Sequence, residues 1–159
     1  MIAEPKVCQN IQIDRSKPLN LTFIRESDDL VIKNQDEQSL CLTEINPMEI
    51  QLKTTFKESE THVFGEENLK RLNKSGYICL DAKVLQTFFE NQELIPESWK
   101  EKTNGIGTFI FFFGTVFVNP SGDPYVLCLF WHNAKWMAIY RCLLFDLNGN
   151  NPSAVLDIN

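Results

Sequence analysis

FIFFFGTVFVNPSGDPYVLCLFWHNAKWMAIYRCLLF, residues 109–145, holds most of the aromatic residues of the chain and few of its charges. Three β-rich runs are separated by two turn signals, Asn119-Pro120-Ser121-Gly122-Asp123-Pro124 and His132-Asn133-Ala134-Lys135. The stretch therefore predicts an antiparallel three-stranded meander. Pro120 presets φ at the second position of a type I turn and Gly122 can take a positive φ. In the second turn Asn133 tolerates the left-handed region, with Ala134 poorer there than glycine.

A two-residue turn at Asn133 and Ala134 sets Trp131 opposite Trp136, Leu129 opposite Ala138 and Leu127 opposite Tyr140. In the first hairpin, setting Val118 opposite Tyr125 puts Ile110, Phe112, Val116, Val118, Tyr125, Leu127, Leu129, Trp131, Trp136, Ala138, Tyr140 and Cys142 on one face. Phe109, Phe111, Phe113, Phe117, Val126, Cys128, Phe130, Met137, Ile139 and Arg141 then share the other. Both faces are apolar, whereas an antiparallel sheet with one wetted side alternates apolar with polar. Burying a large apolar side chain is worth roughly 1.5–3 kcal/mol, so each face calls for a cover, from the rest of the chain or from a partner.

Outward from this stretch the chain is more polar. Residues 7–14, 18–24, 30–33 and 40–45 are short strand candidates, separated by turns at 25–29 and 34–39, and they form a second sheet or extend the first. Asn46-Pro47-Met48-Glu49 carries a helix cap, a proline at the first helical position and an acid three residues after the cap. Residues 50–56 alternate partly with period two, so helix and strand both stay open there. Residues 66–74 predict a short helix with acids first, bases last and Gly76 as its stop. Asp81 caps a second helix over 82–91, whose stripe of Val84, Leu85, Phe88 and Phe89 is suited to cover one face of the meander. Leu94, Ile95 and Trp99 pin the connection back to the core, and residues 103–107 form a flexible lead into the first central strand.

The fold class is therefore α+β, with the meander at 109–145 covered by one or two helices and preceded by additional amino-terminal strands. The 159 residues, 43% hydrophobic and 11% aromatic, suit a single domain over 1–159. That domain comprises a strand-rich layer at 1–60, helices at 66–99 and the central meander. A net charge of -6 excludes nucleic acid as a direct ligand, because phosphate binding needs clustered bases. The acids lie mainly before residue 102 and form a solvated surface or, on a sharper reading, a nucleic-acid-like face that meets a basic protein. No secretory leader is expected from the opening residues, and the apolar runs are shorter than a membrane span needs. The five scattered cysteines read as reduced, buried thiols of a cytoplasmic protein. Two glycosylation sequons, at Asn20 and Asn73, are taken as chance matches.

Chemistry-bearing groups are few. The two histidines are His62 and His132. Cys128, His132 and Cys142 invite a metal or nucleophile reading, but Cys128 and His132 stand roughly 13 Å apart along one strand, and Cys142 projects from the opposite face. Residues 146–157 partly match a calcium loop, yet position six is Asn151 rather than glycine and the last ligand is Asp157 rather than glutamate. No cofactor and no metal are expected. The pair Trp131 and Trp136 reads as a cross-strand fastener or, with Tyr125 and Tyr140 on the same face, as an aromatic binding platform. No paired carboxylates at a recognisable spacing and no phosphate-binding glycine loop occur, Gly105-Ile106-Gly107 being too short.

Residues 94–100 (LIPESWK), 112–115 (the end of an FFxGT pattern), the Trp-rich hairpin at 129–136 and residues 151–156 (NPSAVL) resemble the carboxy-terminal region of uncharacterised bacterial proteins. The resemblance implies a bacterial, cytoplasmic origin and no particular activity. It departs at Leu143, Leu144 and Leu147, where more tryptophan and acidic residues are expected. Taken together, the residues predict a non-enzymatic interaction protein, an inhibitor or accessory factor. It would bind another protein, or itself as a homodimer, through the aromatic sheet or the acidic flank. The alternative is a module that stacks a carbohydrate-like ligand on Trp131, Trp136 and Tyr140, and the third reading is a hydrolase using Cys128 or His132.

Overall fold

The computed structural model describes residues 9–24 and 29–158. Its elements are β1 (Ile11–Gln12), β2 (Val31–Gln35), α1 (Glu37–Leu40), β3 (Glu44–Ile45), β4 (Gln51–Lys53), β5 (His62–Phe64), α2 (Gly65–Ser75), β6 (Ile78–Cys79) and α3 (Ala82–Glu90). After two 3-10 turns, Gln92–Leu94 and Glu97–Lys100, come β7 (Lys102–Thr103), β8 (Ile106–Gly107), β9 (Phe109–Val118), β10 (Pro124–His132), β11 (Lys135–Cys142), β12 (Asp146–Asn148) and β13 (Ser153–Leu156). The fold is α+β with antiparallel-rich sheets, as the sequence predicts.

Strands β9, β10 and β11 are the predicted meander. Its second hairpin has the expected register, with Trp131 opposite Trp136, Leu129 opposite Ala138 and Leu127 opposite Tyr140. Asn133 (φ 50°) and Ala134 (φ 59°) are both left-handed, which matches a two-residue type I′ turn. In the first turn Gly122 has φ 85°, and its N–H donates to the Asn119 carbonyl at 2.9 Å.

The first hairpin departs from expectation. Val118 lies opposite Pro124 and Phe117 opposite Tyr125, after which Leu127 lies opposite Phe112. Residues 113–116 thus bulge from β9 against Val126 alone. The bulge turns Phe117 onto the face of Ile110 and Phe112 and sends Val116 to the face of Phe111 and Phe113, the reverse of their expected places. Gly114 is the cause. Its N–H donates to the Leu80 carbonyl at 2.9 Å, its carbonyl accepts from Asp36 N at 2.8 Å, and any Cβ there would overlap the Cys79 and Leu80 backbone.

The meander belongs to a seven-stranded sheet, ordered β11-β10-β9-β13-β4, in which β2 also pairs with β9 and β6 with β13. No strand is predicted over residues 153–156, yet β13 runs parallel to β9, with Ser153 beside Phe111. Phe109 N donates to Asn150 O at 2.8 Å and Phe111 N to Pro152 O at 2.9 Å. Four residues after a proline carry too short a pattern to announce a strand; the sheet places them.

Both faces of the central strands are covered by the chain itself. The stripe of α3 (Val84, Leu85, Phe88), with Ile95, Trp99 and Ile11, packs over Ile110, Phe112, Phe117, Leu127 and Leu129. On the other face, Leu72 of α2, Val63 of β5, Leu147 of β12 and Leu143 cover Phe111, Phe113, Val126 and Cys128. Asp81 caps α3 by accepting from Lys83 N, and Gly76 ends α2 at φ 82°.

Several local expectations change. Residues 18–24 are turns rather than a strand, because Pro18 offers no N–H and the Asn20 carboxamide accepts from Thr22 N (3.1 Å) and Oγ1 (2.8 Å). Within 34–39, expected as a turn, Asn34 and Gln35 extend β2, and Asp36 caps α1 by accepting from Gln38 N and Ser39 N. The strand expected at 40–45 shrinks to β3, and Leu40 ends α1. At 46–56 both readings hold in part: Asn46 caps a 3-10 turn at Pro47–Glu49, and β4 follows. The lead at 103–107 is a tight hairpin, β7 against β8, with Asn104 and Gly105 both at positive φ. Of the strand expected at 7–14, Ile11–Gln12 forms β1, whereas Val7 and Cys8 lie outside the described residues, as do residues 25–28 of the expected turn.

Candidate functional site

The turn at Asn133 and Ala134 decides which backbone groups of β11 are free. In a two-residue hairpin the flanking pair, His132 and Lys135, is hydrogen-bonded, and bonded and unbonded pairs then alternate. Met137, Ile139 and Arg141 therefore bond to β10. The N–H and C=O groups of Trp136, Ala138 and Tyr140 point the other way, out of the sheet. Strand β11 ends the sheet order, and among the described residues no strand pairs with its outer side. That edge is eight residues long, and Trp136, Met137, Ala138, Ile139 and Tyr140 run through it.

The four aromatic residues predicted to form a platform are split. Trp136 is buried and Trp131 half-buried, and their rings meet edge to face at 5.3 Å and 65°. Trp131 opens toward a hollow of about 430 Å³ between the β7–β8 hairpin and the β10–β11 turn, with Phe109, Phe130, Lys102 and His132. The Lys100 ammonium sits 4.1 Å from the Trp131 ring centroid, a cation–π contact that takes one face of the indole. Trp136 faces a second hollow of about 470 Å³, bounded by Phe23, Ile24, Phe89 and the consecutive residues Lys135 to Ile139 of the edge strand. Tyr140 packs edge-on against Phe117 at 5.3 Å, and Tyr125 lies beside Cys142 at the far end of the strands. Burial raises the phenol pKa of both tyrosines.

Residues that the sequence did not assign to a binding surface complete this edge. Phe23 and Phe89 stack at 4.3 Å and 15° behind the second hollow. Ala138, the smallest side chain on that face of β11, leaves room between Trp136 and Tyr140. Lys135 and Arg141 are exposed at the two ends of the strand. One signal was available in the sequence: residues 124–145 contain Lys135 and Arg141 and no acid, in a chain whose net charge is -6.

Of the groups weighed for chemistry, Cys128 lies in the core, and His62 and His132 stand on different strands. Cys128 is completely buried and burial pushes its thiol pKa up, so the nucleophilic thiolate is disfavoured. Cys79 is pushed up to about 12 by burial and by the nearby Asp36 carboxylate. His132 is exposed at the end of β10, and the ring of His62 meets Thr61 Oγ1 at 2.9 Å. Asp81, wholly buried, is held by Arg15, Ser39 and Lys83 N. Among the described residues no three His, Cys, Asp or Glu side chains are grouped to hold a metal ion, and no helix is long and apolar enough to cross a membrane. No protein-family profile, curated protein or solved structure matches this chain, so the reading of the site rests on its own geometry.

Proposed function

We propose that this protein acts by binding another protein through the edge of β11, which no described strand pairs, as an inhibitor or accessory factor rather than as an enzyme. One observation carries this reading: an eight-residue, aromatic-rich edge strand presents outward backbone donors and acceptors beside an apolar hollow. Natural sheets blunt such edges with charged side chains, bulges, prolines or covering segments, because an unpaired edge is a template for another strand; here the charges are confined to Lys135 and Arg141, and Trp136 to Tyr140 carry none. An extended segment added there gains main-chain hydrogen bonds, and its alternate side chains read the pockets alongside. The described free cysteines, Cys41, Cys79, Cys128 and Cys142, suit a reducing cytoplasm, and the resemblance of residues 94–156 favours a bacterial one. The sequence pointed to the aromatic sheet face; because the faces of β9 and β10 are covered, the proposed surface is the edge instead. The carbohydrate-platform alternative is disfavoured, because Lys100 already occupies a face of Trp131 and Trp136 turns toward a different hollow.

Affinity capture from lysate of the source cells, comparing wild type with Ala138→Pro, tests the proposal. Proline removes an outward N–H that the sheet does not use, and edge strands tolerate it at such positions. The expected result is a partner held by wild type and lost by the folded variant. Equal retention by both proteins, or no partner for either, contradicts edge binding.

A further inference from the structure

Resting on the edge-binding reading above, we infer that the occupant of β11 is an extended segment with a bulky apolar side chain opposite Ala138 and carboxylates opposite Lys135 and Arg141. Along β11, Trp136, Ala138 and Tyr140 share one face, and Ala138 contributes a single methyl between two rings. Beside Trp136 and Ala138 lies the hollow of about 470 Å³, backed by the stacked Phe23 and Phe89. A strand paired to the edge places the side chain opposite Ala138 into that hollow, because paired residues project to the same face. A phenylalanine or leucine there buries apolar surface on three aromatic rings, whereas a small residue leaves the hollow unfilled.

The charges come from the other face. Lys135 and Arg141 lie six residues apart, an even spacing, so both project with Met137 and Ile139, roughly 20 Å from one another along the strand. Both are exposed, and among the described residues neither enters an ion pair. The nearest acids in sequence, Asp123 and Asp146, both lie beyond the Arg141 end of β11, where Leu143 N donates to Pro124 O, and neither lies within the strand. A basic edge on a chain of net charge -6 is complementary to an acidic segment.

The same geometry disfavours a second copy of this chain. A two-fold axis through Ala138 sets Lys135 against Arg141 and faces two methyls across the hollow. An axis through Ile139 instead offers Tyr140 to the hollow beside Ala138 but puts Arg141 against Met137 and Lys135 against Leu143, leaving both bases without a carboxylate. Neither arrangement neutralises the bases, and two acidic molecules repel.

The probe is the end-blocked peptide Glu-Thr-Val-Phe-Val-Thr-Glu, which presents phenylalanine at the centre and carboxylates three residues to each side. Its binding to the full chain is read by fluorescence anisotropy at low salt. Replacing both glutamates by lysine is expected to weaken binding by about 10-fold or more through like-charge opposition. Replacing phenylalanine by alanine is expected to cost about 10-fold through loss of the central anchor. The charge-reversed protein Lys135→Glu/Arg141→Glu is expected to invert the preference and bind the lysine-ended peptide better, a rescue that a misfolded variant cannot produce. Equal binding of the two charged peptides, or an unchanged preference in the reversed protein, overturns the inference. So does a wild-type dimer in sedimentation that Ala138→Pro makes monomeric, because a second copy then occupies the edge. Peptide failure together with a partner captured in an Ala138-dependent way overturns the stated chemistry and leaves edge binding standing. Loss of that dependence removes edge binding itself.

Discussion

Arg15 grips the wholly buried carboxylate of Asp81 across 66 residues of chain, Nη1 to Oδ2 at 2.8 Å and Nη2 to Oδ1 at 3.0 Å. Ser39 Oγ donates to the same carboxylate at 2.5 Å, and Asp81 N donates back to Ser39 Oγ at 2.9 Å. This junction ties the amino-terminal segment, α1 and the start of α3 together. Arg15→Ala strands a buried charge, so a loss of about 3–5 kcal/mol is expected in urea unfolding. Arg15→Lys is expected to recover only part of it, since an ammonium cannot fork onto both oxygens. A loss for Arg15→Ala below about 1 kcal/mol would mean that the pair behaves as an exposed bridge.

Gly114 is where β9 leaves β13 and admits the backbone of Cys79 and Leu80. A methyl at this position meets backbone atoms, which cannot rotate aside. Gly114→Ala is expected to cost at least about 3 kcal/mol, the upper end of overpacking. Gly149→Ala serves as the control, because a Cβ there meets nothing within 4 Å. Similar melting temperatures for the two variants would show that β9 can relax around residue 114.

The two tryptophans of the β10–β11 hairpin differ in burial. Trp136 is 5% exposed and belongs to the core that α3 covers. Truncating it to alanine is expected to cost about 3–5 kcal/mol. Trp131→Ala is expected to lose much less, the contact with Lys100 being worth about 0.5–1 kcal/mol at a solvent-facing site. Chemical denaturation of both variants checks the order. A larger loss at Trp131 would reverse the assignment of core and rim.

Glu60 accepts from Arg71 Nη1 at 2.7 Å and Nη2 at 3.1 Å, and from Lys57 N at 2.6 Å. The Arg71 hydrogen bonds, then the Lys57 N–H, hold its carboxyl at about 2, below the ordinary 4.5. The folded value lies below the unfolded one, so the unfolded chain binds the proton first as pH falls. The contribution is whole above pH 4.5 and disappears as pH drops toward 2. The melting-temperature gap between wild type and Glu60→Gln should therefore hold steady near neutrality and close across that window. A gap that stays constant down to pH 2 would mean that the pair does not persist in solution.

Local pattern was enough for those elements whose partners lie close in the chain. The second hairpin follows from Asn133, Ala134 and the alternation around them. Helices α2 and α3 follow from their acids, Asp81 and Gly76, and from stripes that repeat at helical spacing. The aromatic residues marked β9, β10 and β11 as the centre, because burying them outweighs every other local preference.

Tertiary structure decided the rest. The bulge at Gly114 exists because β6 approaches from 35 residues away; nothing adjacent to Gly114 encodes it, and it reverses Val116 and Phe117. Strand β13 exists because β9 and β4 offer unsatisfied backbone groups on either side of four otherwise unremarkable residues. The candidate site has the same origin. The sequence by itself determined that aromatic residues would line an antiparallel sheet. Which strand ended that sheet, and that Phe23 and Phe89 would stack beside Ala138, depended on contacts between segments far apart in the chain, where packing and hydrogen-bond satisfaction outweigh local preference.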